Sequence, residues 1–188
     1  MIIRTGLAFG RYARYSRAMT TPASPPMAPL TILIDADACP VKDEVYRVAS
    51  RFKAPRPEVH VRVVSNSAFR IPDNPRVKRV VVDDSFDAAD DWIAEHADAR
   101  SIVITGDILL AERCLKAGAR VLKHNGEEFT AASIGSAIAT RAIMEDLRAG
   151  MDGVGANNLG GPPPFSKADR SRFLQSLDRV LVAMARTL

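Results

Sequence analysis

Asp35 and Asp37 stand either side of Ala36 at the end of the apolar run Thr31-Ile-Leu-Ile34, and Pro40 breaks the chain just after them. Such a run reads as a buried strand of a parallel sheet that delivers two acids to its carboxyl end. Open α/β sheets place their chemistry just beyond that end. Asp107 follows a second apolar run, Ser101-Ile-Val-Ile-Thr105, after one glycine, and Asp83 closes a third, Val77 to Val82. Asp90 lies one helix further on. Carboxylates gathered at one sheet edge do not all stay ionised without a cation. Mg²⁺ or Mn²⁺ suits them, because hard cations take oxygen ligands and keep several waters. A cation held there activates water and stabilises charge on a phosphoryl oxygen, which is the chemistry of phosphodiester hydrolysis. Asp35, Asp37, Asp90 and Asp107 are therefore the candidate metal ligands and catalytic residues. Asp83, Asp84 and Asp87 read more simply as turn, cap or solvated residues.

The elements that must position these acids alternate along the chain. Val41, Val45, Val48, Ala49 and Phe52 recur at helical spacing and predict an amphipathic helix that ends near Lys53-Ala-Pro55. Glu58 to Val64 reads as a strand with the polar tip Ser65-Asn66-Ser67, and Val77 to Val82 as the next. A helix follows over about Phe86 to His96, with Ala89, Trp92, Ile93 and Ala97 as its packing stripe. Asp90 flanks that stripe, so it is the acid of this helix expected to face inward. Residues 83–98 hold seven acids and no Lys or Arg, a like-charge concentration that opposes folding unless relieved. After the strand Ser101–Thr105 a helix carries Ile108, Leu109, Ala111 and Leu115 inward with Cys114, and Arg120–Leu122 is a short fifth strand. A long helix over Thr130–Arg148 is expected to bury Ile134, Ala137, Ile138, Ile143 and Leu147. The last helix follows the capping-box spacing of Ser166 and Asp169 and turns Phe173, Leu174, Leu177, Leu181 and Met184 inward. This alternation predicts an α/β three-layer sandwich with a mostly parallel central sheet.

The chain has 188 residues, 47% of them hydrophobic, enough for one domain with a core. The net charge of +4 comes from Arg4, Arg11, Arg14 and Arg17 in a stretch without acids, and residues 31–188 are neutral. Charge therefore gives no general support for nucleic-acid binding. Residues 1–28 are expected to be a poorly ordered extension. Their composition is that of an organelle transit peptide, but a start at Met19 or Met27 explains them as well, and Met27 stands just before the first strand. Residues 29–188 are expected to form a single domain, with a Gly/Pro-rich loop at 150–165 and a terminal helix at 166–187. Two cysteines make no disulfide framework and point to a reducing, cytoplasmic setting. No apolar run is long enough to span a bilayer.

Several motifs carry a more specific resemblance. Asp35-Ala-Asp-Ala-Cys-Pro-Val-Lys42, Phe86-Asp-Ala-Ala-Asp90, Ile104-Thr-Gly-Asp-Ile-Leu-Leu-Ala111 and the Gly-Gly-Pro…Phe165…Asp169-Arg170…Phe173 tail resemble the YaiI/YqxD family of bacterial proteins over about residues 30–185. That family has no established activity and is itself similar to PIN-like nuclease domains. Those domains hold acids at the first strand end, in a middle helix and in a Thr-x-Asp turn. The resemblance implies that these roles fall on Asp35, on Asp90 and on Thr105-Gly-Asp107, with Asp37 additional. By fold analogy it also implies Mg²⁺- or Mn²⁺-dependent cleavage of RNA.

Other residues are candidates for binding substrate. Ser65 and Asn66 close a strand and suit a phosphate or a metal-bound water, and equally a simple turn. Lys167 and Arg170, with Arg172, follow the Gly/Pro-rich loop and form a candidate substrate-contact segment, with a solvated basic helix face as the alternative. Cys39 reads as a packed small residue whose anionic neighbours raise its pKa. His60 and His124 are unpatterned and read as structural. A second enzymatic reading is a phosphatase of haloacid-dehalogenase type, with Asp35 as nucleophile, Asp37 as acid/base and Ser65 as its second motif. Cys39-Pro40 and Ala111 depart from that family's pattern. A third reading is a non-catalytic RNA- or protein-binding module.

Overall fold

The computed structural model describes residues 28–37, 39–150 and 164–187. The expected extension and most of the Gly/Pro-rich loop lie outside them. Six strands form one sheet: β1 (Leu30–Asp35), β2 (Val59–Ser65), β3 (Val77–Val81), β4 (Ser101–Ile104), β5 (Arg120–Leu122) and β6 (Glu128–Phe129). The strand order is β3-β2-β1-β4-β5-β6. All neighbours are parallel except β5 and β6, which pair antiparallel. Five helices are described: α1 (Lys42–Ala49), α2 (Ala88–His96), α3 (Ile108–Lys116), α4 (Ala131–Gly150) and α5 (Lys167–Thr187). The three-layer α/β sandwich expected from the alternation is the observed architecture. Among the described residues no helix is long and apolar enough to cross a membrane.

The central strands are apolar on both sides because both sides are covered. Leu30, Ile32 and Ile34 join one core, with Val41, Val45 and Val48 from α1 and Phe173, Leu177 and Leu181 from α5. Leu33 and Val103 point the other way, into a second core with Ile93 of α2, Leu110 and Cys114 of α3 and Ile134 of α4. Each of these side chains contributes about 1.5–3 kcal/mol by leaving water. The period-two alternation sends Asp35 to the side of Leu33, the face covered by α2 and α3.

Four sequence expectations are corrected. The first helix ends at Ala49, because Arg51 and Phe52 bond back to Val48 and Ala49 in tighter three-residue turns. Phe52 is still fully buried. The second helix begins at Ala88 rather than Phe86, since Asp87 adopts φ 62°, ψ 8° in the left-handed region. In α3 the inward residue is Leu110, not Leu109, which is 47% exposed. Capping by Asp107 fixes where that helix starts and hence its rotation. In α4 the buried stripe stops near Ile138, and Ile143 and Leu147 are exposed. Its partner α3 has nine residues against twenty in α4, so the second half of α4 runs past it. The short strand β6 was not foreseen. Its hairpin turns at Gly126 with φ +87°, where a Cβ would stand 2.8 Å from the Arg172 carbonyl carbon and the Phe173 nitrogen.

Candidate functional site

The strand order reverses between β1 and β4, with β2 and β3 on one side and β5 and β6 on the other. Ligands of open α/β sheets bind in the crevice such a reversal leaves at the carboxyl ends. Asp35 ends β1 at this point, and Thr105 and Asp107 follow β4. A hydrogen bond joins the two strand ends, with Thr105 Oγ1 donating to Asp35 Oδ2 at 2.9 Å. The same Thr105 oxygen accepts the Asp107 N–H at 3.0 Å. Thr105 is fully buried, so its hydroxyl fixes both the carboxylate before it in space and the turn after it in sequence. On the other flank Ser65 Oγ, at the end of β2, donates to Asp37 Oδ1 at 2.8 Å. It also accepts the Ser67 N–H.

The acids brought together are Asp35, Asp37 and Asp90, with Asp84 and Asp87. They line one cavity of about 350 Å³ together with Asn66 and Phe86. A larger groove of about 700 Å³ runs between α3 and α4, lined by Ile108, Ala137, Met144 and Arg141. No carboxylate lines it, in contrast to the smaller cavity. Burial raises the Asp35 carboxyl, and the charge of Asp37 adds to the shift. Burial also pushes Asp90 up to about 6, reinforced by the charges of Asp35, Asp107 and Asp87 and opposed by Arg113. The charges of Asp35, Asp107 and Asp87, from β1, the β4–α3 turn and the cap of α2, thus reach Asp90 across the crevice.

Asp107 is engaged more fully than its neighbours. Its Oδ1 accepts the Leu109 and Leu110 N–H groups at 2.6 and 3.0 Å, which makes it the N-cap of α3. Its Oδ2 lies 3.5 Å from Arg141 of α4. Among the described residues no three of His, Cys, Asp and Glu already converge as a closed metal-binding set. The donor chemistry, carboxylate oxygens on an open polar crevice, fits a hard cation. Mg²⁺ in particular is commonly held by one or two carboxylates and several waters rather than by a protein cage.

Arg170 takes part in an ion pair within the protein. Its guanidinium donates to Glu44 Oε1 at 2.6 Å, and Glu44 is 2% exposed. This pair ties α5 to α1. Lys167 is exposed on the first turn of α5. Cys39 is buried, and burial pushes its thiol up to about 11, which suits a packed residue and not a nucleophile. Lys42 donates to the Ala36 carbonyl between the two acids at 2.9 Å and lies 5.0 Å above the Phe69 ring. It braces the Asp35-Ala36-Asp37 turn from behind.

Sequence reasoning missed three contributors. His124 follows β5 and lies within 3.7 Å of the Cβ position of Gly106. Among the described residues its buried Nε2 has no hydrogen-bond partner. Burial lowers its pKa, and the Asp35 charge acts against that. Phe86 sits on the cavity lip, and Glu44 is the buried acid that holds Arg170. Only the position of Phe86 beside a run of acids was legible from the sequence.

Comparison with known proteins agrees with this frame. Residues 33–183 match the family described as "Uncharacterized BCR, YaiI/YqxD family". A UPF0178 protein of Sphingopyxis alaskensis is 65% identical over 162 residues, 86% of this chain and 99% of the relative. One from Jannaschia is 57% identical over 150 residues, 80% of this chain and 91% of the relative. One from Rhodospirillum centenum is 54% identical over 159 residues, 84% of this chain and 98% of the relative. The match includes Asp35, Asp37, Asp90 and Asp107, and the chain belongs to the YaiI/YqxD family.

Proposed function

We propose that this chain is a divalent-metal-dependent phosphodiesterase acting on RNA, a PIN-like nuclease in the sense of its acid arrangement. The observation that carries the reading is that Asp35, Asp37 and Asp90 line one cavity at the reversal of strand order, where burial, with the charges of Asp35, Asp107 and Asp87 adding to it, pushes Asp90 up to about 6. Acids pressed together in this way, at the place where such sheets bind ligands, are relieved by a cation. Asp35, Asp37 and Asp90 would hold Mg²⁺ or Mn²⁺, with Asp107 adding charge from its capping position. The bound cation supplies activation of water and charge stabilisation at a phosphoryl oxygen.

The chain's own residues do the positioning. Thr105 and Ser65 each spend one hydroxyl proton on an acid, on Asp35 and Asp37 respectively. That leaves the remaining carboxylate lone pairs for the cavity. Asp90 stands on a separate helix and brings a third carboxylate to the cavity that Asp35 and Asp37 line. The haloacid-dehalogenase alternative uses Asp35, Asp37 and Ser65 together with a further Asp where this chain has Ala111. It gives Asp90 no task, and for that reason the phosphodiesterase reading is preferred.

The test is cleavage of a single-stranded RNA in Mn²⁺ by the full chain and by Asp35→Asn. The variant is expected to be slower by about a hundredfold or more. Equal rates would overturn the assignment.

A further inference from the structure

Phe86 is 92% exposed and belongs to neither core, yet it lines the cavity that holds Asp35, Asp37 and Asp90. Two ordinary roles for an aromatic at this position fail. A residue just before a helix cap often packs on the fourth helical residue as a hydrophobic staple, but here that residue is Asp91, a carboxylate, and the ring is uncovered. The sequence would also allow Phe86 inside α2, packing with Trp92 and Ile93. The left-handed backbone of Asp87 prevents this by starting the helix at Ala88. A non-glycine residue rarely adopts that conformation. Its effect here is to stand the ring on the lip of the cavity instead of against the sheet.

We propose that Phe86 is a stacking platform for an unpaired nucleobase of single-stranded RNA, next to the phosphate that enters the acidic cavity with its cation. The proposal rests on the phosphodiesterase reading and names the form of substrate that site takes. An exposed phenyl face offers each base the same π surface, so stacking on it is tolerant of sequence. A cavity of about 350 Å³ is at the lower end of ligand-sized pockets, enough for a single nucleotide unit. A base held inside a duplex cannot reach the ring, so the site selects for single strands.

The test is a binding measurement that does not depend on cleavage. A labelled oligoadenylate and an abasic strand of equal length are titrated in Ca²⁺ against wild type, Phe86→Ala and Phe86→Tyr. Phe86→Ala is expected to weaken oligoadenylate binding about five- to a hundredfold, while Phe86→Tyr keeps it and the abasic strand binds all three alike. In Phe86→Trp, oligoadenylate is expected to quench the new indole emission and the abasic strand to leave it unchanged. Equal oligoadenylate binding by wild type and Phe86→Ala would overturn the proposal. Quenching by oligolysine but not by oligoadenylate would also overturn it, since the ring would then serve a cationic peptide. Because the side chain is exposed, none of these variants threatens the fold. If Asp35→Asn cuts RNA as wild type does while Phe86→Ala loses oligoadenylate, the cleavage assignment falls and the platform stands. The reverse pair of results removes the platform alone.

Discussion

At the scale of single residues the site is governed by the cost of keeping acids charged where water is scarce. Asp90 is the clearest case, raised from 3.8 to about 6 by burial and by Asp35, Asp107 and Asp87. A carboxyl that is raised in the folded state is one whose ionisation opposes folding. The penalty is absent below the ordinary carboxylate range, grows as pH rises towards 6, and is complete above it. In chelator-treated protein Asp90→Asn should therefore be more stable than wild type by about 1 kcal/mol near neutral pH, the figure being reduced for solvent screening of a half-buried group. The gain should vanish as pH falls through the carboxylate range. Urea unfolding at several pH values measures it, and a constant difference across pH would mean the repulsion is not there. Asp35, Asp37 and Asp107 were legible in the sequence because each ends or follows an apolar strand, a local signal. His124 was not, because its place beside Asp35 depends on the pairing of β5 with β4, across some twenty intervening residues.

At the scale of elements, amphipathic patterns identified which faces are inward wherever a partner covers them. α1 and α5 followed the pattern because they pack on each other and on the sheet. The first turn of α5 has the expected capping box, with the Ser166 N–H donating to Asp169 and the Asp169 N–H to Ser166 Oγ. The pattern misled in α4, where apolar residues continue past the end of the partner helix. At Arg170 the positive charge suggested a substrate contact, and the structure adds an ion pair that the sequence did not show. A pattern of charge does not reveal a buried acid 126 residues away, and Glu44 is that acid. Arg170→Ala leaves Glu44 buried and unpaired and should destabilise the protein by about 2 kcal/mol, below the usual cost of breaking a buried pair because the Arg170 side chain is 44% exposed. Adding Glu44→Gln should recover part of the loss. Lys167→Ala, on the exposed turn, should change stability by less than about 0.5 kcal/mol. Chemical unfolding of the three proteins separates a tie between helices from a solvated basic face.

At the scale of the whole molecule, the fold and the acids answer the same constraint. A parallel sheet buried on both faces needs continuous apolar strands, so polar chemistry can only gather at their ends. The reversal of order between β1 and β4 opens a crevice where acids from a strand end, a helix and a turn meet. With residues 31–188 neutral overall, no broad positive field would gather the anionic substrate of the proposed reading, and on that reading a bound cation would attract it. The protein without metal would then be held below its attainable stability by its own site. Saturating Mn²⁺ at about a hundred times its dissociation constant should stabilise wild type by about 2.7 kcal/mol, which for a chain of this size raises Tm by about 5–10 °C. Asp35→Asn should lose most of that rise. Asp90→Asn should begin at a higher Tm and rise less, because the substitution and the cation relieve the same repulsion. Thermal unfolding of the three proteins with and without Mn²⁺ reads this directly. An equal rise in all three would place the cation elsewhere on the molecule and separate the crowded acids from metal binding.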